Sequence, residues 1–406
     1  MTKRQIFSLA LFVYLLLAPF TYHPDIKTIF YQSQFFSQGF FNIYSFFDVH
    51  RDLAFLGQFV YPPLAYFIYG ALFIPVKVMA GNGFVNWLAM GSDAVSVPHI
   101  FQYIFAMKLP AIIAFFVTGN ILNKHFDSEV DQKKSLLLWF FNPISIYVVA
   151  FMSQIDSIAV LMTVLSLFCA SKKPKLALVI LGLGAAFKTY PLILIPFMAL
   201  ILGITWKKKL IYMFFGFVPY FLTILPFLKT PAFLTSTLVS GLSQRLFELR
   251  MSVGYGESIL LVPAFLLILL LTSVTDKFGG IKKLPYFFFA ATFVVVGGSH
   301  FHPQWSLWFL PFLIITVVKN SNLRKIDLML SLIFLFVGWL GTIILFNDSF
   351  LTWGIISPLD PGILLLPPPS DLVKNYFDPL LLQGIFHTLM LTSGLYILFR
   401  TFDYEK

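Results

Sequence analysis

The sequence contains few charged residues and almost no cysteine. Only 11% of its 406 residues are charged, while 58% are hydrophobic; charged residues make up about 25% of an ordinary soluble domain. A soluble core cannot bury that much apolar surface, so the composition excludes a soluble globular protein. The single cysteine, Cys169, excludes an intramolecular disulfide. The composition is that of a chain that buries its apolar surface in a bilayer.

Basic residues outnumber acidic ones, and their positions explain why. The formal net charge of +10 would suggest a nucleic-acid partner in a soluble protein. Here short basic runs, such as 172–175 and 207–209, separate apolar segments. That is the pattern of cytoplasmic loops in membrane proteins. We therefore expect membrane lipids around the chain and no nucleic acid.

About thirteen apolar segments can be drawn along the chain. Basic residues flank both termini, so both are expected in the cytoplasm and the number of crossings must be even. Joining 176–206 into one pass, broken at 188–191, predicts an all-α polytopic membrane protein of about 12 helices, within about 11–13. This topology places the lysines near 172–175 outside, against the charge pattern; the alternative keeps them inside and makes one earlier segment, such as 61–79, re-entrant. The segments lie near residues 6–21, 61–79, 100–122, 135–150, 157–170, 176–187, 191–206, 210–228, 258–275, 284–298, 304–318, 326–346 and 380–399.

Three stretches are too polar or too broken by proline to cross a membrane. They are the segments 22–60, 229–257 and 347–379, and all three are expected on the extracytoplasmic side. We predict one transmembrane module over 1–257, with the first two of these loops, and further transmembrane helices over 258–406. The absence of sorting signals favours the plasma membrane, and the long outer loops place the polar site outside.

Acidic residues are scarce, so each of them can be weighed singly. Asp25 lies shortly after the first apolar segment, within His23-Pro24-Asp25. A carboxylate there could stand at the outer membrane surface beneath an aromatic loop and act as a base. The alternative is structural, because an Asp after Pro is a good N-cap for the amphipathic stretch 26–38.

Further polar residues open or interrupt apolar segments. Tyr61 opens a run with two prolines, which alone indicates only an entry turn. Gln154 and Asp156 interrupt a long apolar stretch; an ionisable group at such depth is a functional candidate, and a polar turn between helices is the alternative. Lys188 lies in a broken apolar segment without an acid beside it, which is costly unless it meets an anion or reaches water.

The remaining candidates lie in predicted outer connections. His300 and His302 give only a weak metal signal, because no third ligand is near. We therefore expect no required cofactor and assign no metal ligand, with a divalent ion left open. Gln304 follows in the same connection. Arg245 and Arg250 belong to the loop 229–257, where contact with lipid headgroups is the simplest explanation.

In their order along the chain, these motifs resemble the GT-C superfamily of membrane glycosyltransferases, which use polyprenyl-phosphate-linked sugars. The resemblance covers roughly residues 1–318. Its motifs are Asp25, Tyr61-Pro62-Pro63-Leu64, Asn142-Pro143 with Gln154-Ile155-Asp156, Lys188-Thr189-Tyr190-Pro191-Leu192 with Pro196, and Ser299-His300-Phe301-His302-Pro303-Gln304.

The last motif is similar to two branches of that superfamily. It looks like the H-x-H-E-K region of the lipid-linked-glucose glucosyltransferases of N-glycan assembly. The overlapping stretch 304–310 is similar to the catalytic subunits of GPI mannosyltransferase I. Pro303 and Gln304 stand where the first branch has Glu and Lys, so a charged role at these two positions does not carry over.

The resemblance implies an inverting glycosyltransferase that moves a sugar, mannose in preference to glucose, from a polyprenyl-phosphate donor to a hydroxyl of a glycan or glycolipid acceptor. It makes Asp25 the catalytic base. Two other classes stay open: a lipid-linked-sugar flippase or transporter, and a polysaccharide polymerase or ligase. The predicted substrate-binding residues are Tyr61, Gln154, Asp156, Lys188, Tyr190, Arg245, Arg250, His300, His302 and Gln304.

Overall fold

A computed structural model describes residues 1–50, 53, 61–238, 244–274, 280–319 and 324–402. Parts of the predicted outer loops, at 51–52, 54–60 and 239–243, lie outside the described residues. The described chain is helical except for one antiparallel hairpin, formed by the strands Arg250–Gly254 and Glu257–Leu260. The all-α prediction is therefore confirmed as a class, with this hairpin as a local exception that the sequence reading missed.

The hairpin forms because its turn contains residues that accept a left-handed backbone. Gly254 and Gly256 have φ angles of 118° and 86°, and Tyr255 between them has 48°. Met251 stands opposite Ile259 across the pair. Glycines suit such turns because they carry no Cβ to clash with the backbone.

Seven helices within the described residues are long and apolar enough to cross a membrane, or eight if a pair bent by 46° forms one span. This confirms a multi-pass membrane protein. The bent pair is Glu129–Phe140 with Pro143–Met152. The seven are Lys3–Phe20, Pro63–Ala80, Ile100–Asn123, Trp206–Phe227, Gly280–Gly297, Lys325–Ile344 and Pro379–Thr401.

Shorter apolar helices occupy the remaining predicted segments. Each of the apolar segments drawn from the sequence contains a helix, although residues 258–260 belong to the second strand. The shorter helices are not long enough to count as spans by themselves. The predicted total of about 12 crossings therefore stays a prediction. The shorter helices are Asp156–Cys169, Pro174–Phe187, Tyr190–Leu202, Leu261–Val274 and Pro303–Lys319.

The predicted break in the segment 176–206 is present. The helix ends at Phe187, and Lys188 follows it in an extended conformation, with φ −149° and ψ 131°. Pro191 lies in a single 3₁₀ turn, Tyr190–Ile193, that leads into the helix Leu194–Leu202. Proline has no N–H for the helical ladder, so it favours this break.

The chain divides into two compact units, and the first is built from Met1–Ile26, Ser92–Gln154 and Phe301–Lys406. Aromatic packing holds its core: Phe115 stacks on Trp139 with ring centroids 4.6 Å apart, and the indole N–H donates to the Phe115 carbonyl at 3.1 Å. Its main helices are Lys3–Leu17, Ile100–Asn123, Glu129–Phe140, Ser306–Lys319, Lys325–Ile344, Pro369–Val373 and Pro379–Phe402.

The second unit consists of Lys27–Gly91 and Ile155–His300. Three of its helices approach closely at glycines: a Cβ on Gly182 would strike the Gly216 carbonyl, and one on Gly216 would strike Ile195, which lies on a third helix. Small residues of this kind allow helices to pack closely within membranes. Its main helices are Ile43–Val49, Pro63–Ala80, Phe84–Leu88, Asp156–Cys169, Pro174–Phe187, Leu194–Leu202, Trp206–Ile224, Leu261–Val274 and Leu284–Gly297.

The predicted boundary at residue 257 was drawn from the expected function and from the order of segments along the chain, whereas the two compact units are defined by contacts between residues. The chain contributes three segments to the first unit and two to the second. The helix Pro24–Ser37 begins in the first unit and continues into the second. The boundary between a module over 1–257 and helices over 258–406 stays a prediction.

A partly buried histidine in the first unit makes stability depend on pH. His125 follows the helix Ile100–Asn123, and its Nε2 lies 3.0 Å from Nζ of Lys319. The ammonium donates to this nitrogen only while the ring is neutral. Burial, and after it the charge of Lys319, lowers the pKa of His125 from 6.5 to about 4. The stability that depends on the neutral ring is therefore complete above pH 6.5 and is lost as the pH falls towards 4.

We expect His125→Gln to flatten the decline in thermal stability between pH 6.5 and 4, because the variant has no ring to protonate. Lys319→Met should flatten it less, since burial is the larger cause of the lowered pKa of His125. Melting curves of the detergent-purified protein across this pH range measure both effects. A His125→Gln profile that coincides with the wild type would contradict the assignment.

Candidate active site

Asp25 lies in the first turn of the helix Pro24–Ser37, shortly after the first apolar helix ends. Its carboxylate is 40% exposed. Nε2 of Gln154 donates a hydrogen bond of 3.0 Å to Oδ2 of Asp25, and Gln154 is itself only 1% exposed. The carboxylate is therefore oriented by a buried donor and stays accessible to a reactant.

His23 completes this cluster as a hydrogen-bond acceptor. Two donors point at its Nδ1: the backbone N–H of Asp25 at 3.3 Å and Nε2 of Gln154 at 3.4 Å. A ring nitrogen that accepts carries no proton, so the His23 proton is on Nε2. Nδ1 also lies 3.6 Å from Oδ1 of Asp25, but an ion pair there needs a proton on Nδ1. The two donors that point at Nδ1 argue against such a pair.

Tyr22 is fully buried beside these residues. Its backbone N–H donates to the Ile355 carbonyl at 2.7 Å, which fixes the segment leading to Asp25. Burial raises the pKa of Tyr22, and the carboxylates of Asp25 and Asp93 raise it further. The phenol therefore keeps its proton at neutral pH.

An irregular turn places Gln154. Oδ1 of Asn142 accepts from the backbone N–H of Ser145 at 2.9 Å and so starts the turn. The chain then widens into a π-helical segment, Ile146–Met152, and ends at Ser153 with φ 57° and ψ 50°. This left-handed conformation costs a non-glycine residue about 1–3 kcal/mol, and such strain gathers at functional sites. The Asn142-Pro143 motif therefore caps the turn that precedes Gln154.

The second unit contains a buried ion pair. Asp156 is the first residue of the helix Asp156–Cys169 and is fully buried. Nζ of Lys188 lies 2.7 Å from its Oδ2, although the two residues are 32 positions apart. A carboxylate at a helix N-terminus is also favoured by the helix dipole. The anion that Lys188 requires inside an apolar segment is Asp156.

Tyr61 and Tyr190 lie in the same unit. The Lys188 ammonium is 5.5 Å from the centroid of the Tyr61 ring, within the range of a cation–π contact. The hydroxyl of Tyr190 lies 2.9 Å from Oγ1 of Thr163, which is on the same helix as Asp156. The structure thus brings together Tyr61, Asp156 and Lys188.

Arg245, Arg250 and His300 also belong to the second unit. Arg245 begins a short 3₁₀ turn, and Arg250 begins the first strand of the hairpin. Partial burial lowers the pKa of His300, Arg245 lowers it further, and Glu248 opposes them. His300 and Arg245 are therefore close enough to interact, and the ring is neutral near pH 7.

His302 and Gln304 lie in the first unit, at the entry to the helix Ser306–Lys319. The His302 ring packs on Trp305 with centroids 4.4 Å apart, and Trp305 stacks on Trp308 at 4.8 Å. Oε1 of Gln304 is buried and has no hydrogen-bond partner among the described residues. This aromatic stack offers an apolar wall beside a polar amide.

A metal centre is not visible in the described part of the chain, where no group of three or more His, Cys, Asp or Glu side chains is placed to hold an ion. The expectation that no cofactor is required stays a prediction.

Sequence reading missed two residues of the first unit, His23 in the Asp25 cluster and Lys108 behind it. His23 was visible only as one polar residue of a loop. Lys108 lies within the helix Ile100–Asn123 and is fully buried. A lysine inside an apolar span is a functional candidate by itself, so the signal was present in the sequence. The partner of Lys188 also became visible only in the structure.

No protein-family model matches the sequence, and no curated protein matches it significantly. The structure by itself defines the class: an all-α, multi-pass membrane protein. Membership of the glycosyltransferase superfamily therefore stays a proposal that rests on the motifs and on the Asp25 cluster.

Proposed function

We propose that the protein is an inverting glycosyltransferase that uses a polyprenyl-phosphate-linked sugar, with Asp25 as its base. The strongest support for this proposal is the exposure and the fixed orientation of the Asp25 carboxylate. It is 40% exposed and held at 3.0 Å by a buried amide, directly after the first apolar helix. A general base needs both properties: access to the acceptor and a fixed orientation.

The reaction that such a base serves can be written with its atoms balanced. The acceptor oxygen attacks the anomeric carbon while its proton passes to a carboxylate oxygen of Asp25. The bond from that carbon to the phosphate oxygen breaks, and the polyprenyl phosphate leaves with the electron pair. Attack from the face opposite the leaving group inverts the anomeric centre, so a β-linked donor gives an α-linked product.

Gln154 is proposed to orient the base. Its amide occupies Oδ2 of Asp25 and leaves Oδ1 to accept the proton from the acceptor hydroxyl. In the same unit, the stacked rings of Trp305 and Trp308, with His302 packed on Trp305, are suited to contact with the apolar face of a sugar ring. Lys188, Arg245, Arg250 and His300 stay predictions as ligands of the donor phosphate, which requires cationic or hydrogen-bonding groups.

The proposed topology follows from charge. With both termini in the cytoplasm and about 12 crossings, the segments 22–60, 229–257 and 347–379 face outward. Asp25 then lies at the extracytoplasmic surface, with the plasma membrane favoured. Lipid-linked donors suit that side, because nucleotide sugars are absent there.

A lipid-linked-sugar transporter is the second candidate, and one observation favours it. The pair formed by Asp156 and Lys188 is buried among apolar helices, and ionisable pairs in such positions often belong to transport pathways. Transport predicts movement of the labelled lipid across a vesicle membrane without a new glycosidic bond.

A comparison of donors tests the proposal. The purified protein is incubated with polyprenyl-phosphate mannose, polyprenyl-phosphate glucose and a polyprenyl-pyrophosphate glycan, each with a simple glycoside acceptor. We expect transfer from a monophosphate donor, mannose foremost, and an α linkage by NMR. Transfer only from the pyrophosphate donor would assign a polymerase or ligase instead, and vesicle transport without transfer would assign a transporter.

A further inference from the structure

Lys108 is a buried lysine whose hydrogen bonds all end on neutral oxygens. It is 0% exposed within the helix Ile100–Asn123. Its ammonium donates to the carbonyls of Ala150 and Phe151 at 2.7 and 2.6 Å and to Oγ1 of Thr21 at 2.9 Å. These three acceptors use all three N–H groups. No carboxylate among the described residues lies within ion-pair distance of it. Such a charge needs a reason to be retained in an apolar span.

The acceptors belong to the two chain segments that carry the Asp25 cluster. Ala150 and Phe151 end the π-helical turn Ile146–Met152, directly before Ser153 and Gln154. The last carbonyls of a helical segment lack partners within it, and a cation there satisfies them and the dipole. Lys108 therefore closes the turn that presents Gln154.

Thr21 lies on the other segment, four residues before Asp25. Its hydroxyl lies 3.0 Å from the Ala150 carbonyl, which Lys108 also contacts. The ammonium thus links the strand-like segment that leads to Asp25 with the turn that leads to Gln154. The hydrogen bond between Gln154 and Asp25 depends on the relative placement of these same two segments.

We propose that Lys108 is a positioning residue for the Asp25 base: its ammonium holds the Thr21 segment and the Ala150–Phe151 turn together, and so sets the bond between Gln154 and Asp25. The inference deepens the proposed function and rests on it where it concerns catalysis. The positioning itself concerns only residues of the first unit. It is therefore testable without any transfer assay.

Carbodiimide labelling of Asp25, quantified by peptide mass spectrometry, reports the state of its carboxylate. Carbodiimides react at the carboxyl group, and the hydrogen bond from Gln154 to Oδ2 slows this reaction because it must be weakened first. We expect Lys108→Met to raise the labelling rate of Asp25 at pH 7 about tenfold, the size expected when one charge-assisted hydrogen bond is lost. Gln154→Met should raise it equally. The exposed Asp371 serves as the internal reference, and Lys77→Met is the matched control from another apolar helix.

The double variant decides whether Lys108 acts through Gln154. If it does, Lys108→Met combined with Gln154→Met labels no faster than either single variant. Equal labelling in Lys108→Met and wild type, or multiplied effects in the double variant, would overturn the inference. If Lys108→Met is not monodisperse by gel filtration, Lys108→Gln replaces it. Glutamine keeps a hydrogen-bond donor without the charge, so Lys108→Gln should label Asp25 at a rate between those of the wild type and Lys108→Met.

The transfer assay separates this inference from the proposed function. In Lys108→Met we expect kcat to fall about 10²-fold, the scale of a misplaced catalytic group, with KM for the donor changed less than about threefold, because Lys108 touches no substrate. If Lys108→Met and Gln154→Met change the labelling of Asp25 in a coupled way but the wild type transfers no sugar, Lys108 positions Asp25 and the proposed enzymatic function is wrong. If transfer depends on Asp25 but the labelling is not coupled, the proposed function stands and the role of Lys108 is wrong.

Discussion

Asp25→Asn is expected to lower the rate of sugar transfer by about 10²–10⁴-fold, the usual contribution of a general base. Asparagine has nearly the shape of aspartate, and its oxygen still accepts the 3.0 Å hydrogen bond from Gln154. It cannot take up the acceptor's proton. The loss should therefore appear in kcat, while folding and insertion stay unchanged. Initial rates of the purified variant with the donor that the wild type uses measure it.

Two further variants show that the effect belongs to the base. Asp371→Asn removes an exposed carboxylate of the same unit, which pairs with Lys374 at 3.2 Å, and it should retain the wild-type rate. Asp25→Glu keeps a carboxylate but displaces it by one methylene, so an intermediate rate is expected. A transfer rate in Asp25→Asn within about threefold of the wild type would remove Asp25 from the mechanism.

The positions of the helices along the chain were largely predictable from the sequence, because the apolar residues that form a helix and the prolines that interrupt it act locally. A segment without charges over about 20 residues satisfies its backbone internally and crosses the bilayer. The break at Lys188 and Pro191 was readable for the same reason, since proline removes a local hydrogen bond. The hairpin at Arg250–Leu260 was missed because its strands are only five and four residues long, so the alternation of polar and apolar residues extends over a single short stretch.

The residues of the candidate site and their contacts could only partly be predicted from the sequence. The first carboxylate, Asp25, and the buried amide, Gln154, were both singled out, but the bond between them joins residues 129 positions apart. The partner of Lys188 was hidden for the same reason. A single sequence shows which polar residues are expensive to bury, and it does not show which of them meet. Lys108 is a polar residue that is expensive to bury, so the sequence contained this signal, but it was overlooked.

Breaking the buried ion pair of the second unit is expected to have the largest effect on stability. Asp156→Asn leaves the Lys188 ammonium buried beside a neutral group, and Lys188→Met leaves the Asp156 carboxylate fully buried without its 2.7 Å partner. Removing one member of such a pair costs about 3–5 kcal/mol. The exposed pair formed by Asp371 and Lys374 is the matched control, because surface pairs contribute about 0–1 kcal/mol. Thermal melting in detergent compares Asp156→Asn and Lys188→Met with the control variants Asp371→Asn and Lys374→Met.

The double variant Asp156→Asn with Lys188→Met separates a structural role from a role in binding. It removes both charges, so most of the lost stability should return, since a neutral polar and apolar pair is tolerated where a lone charge is not. If the pair only supports the fold, transfer returns with it, and this is the result we expect from a lysine that is already neutralised and 11% exposed. Restored stability with KM for the donor still raised would instead show that Lys188 binds the donor phosphate. The resemblance implies that second role, and only the combination of melting and kinetics distinguishes the two.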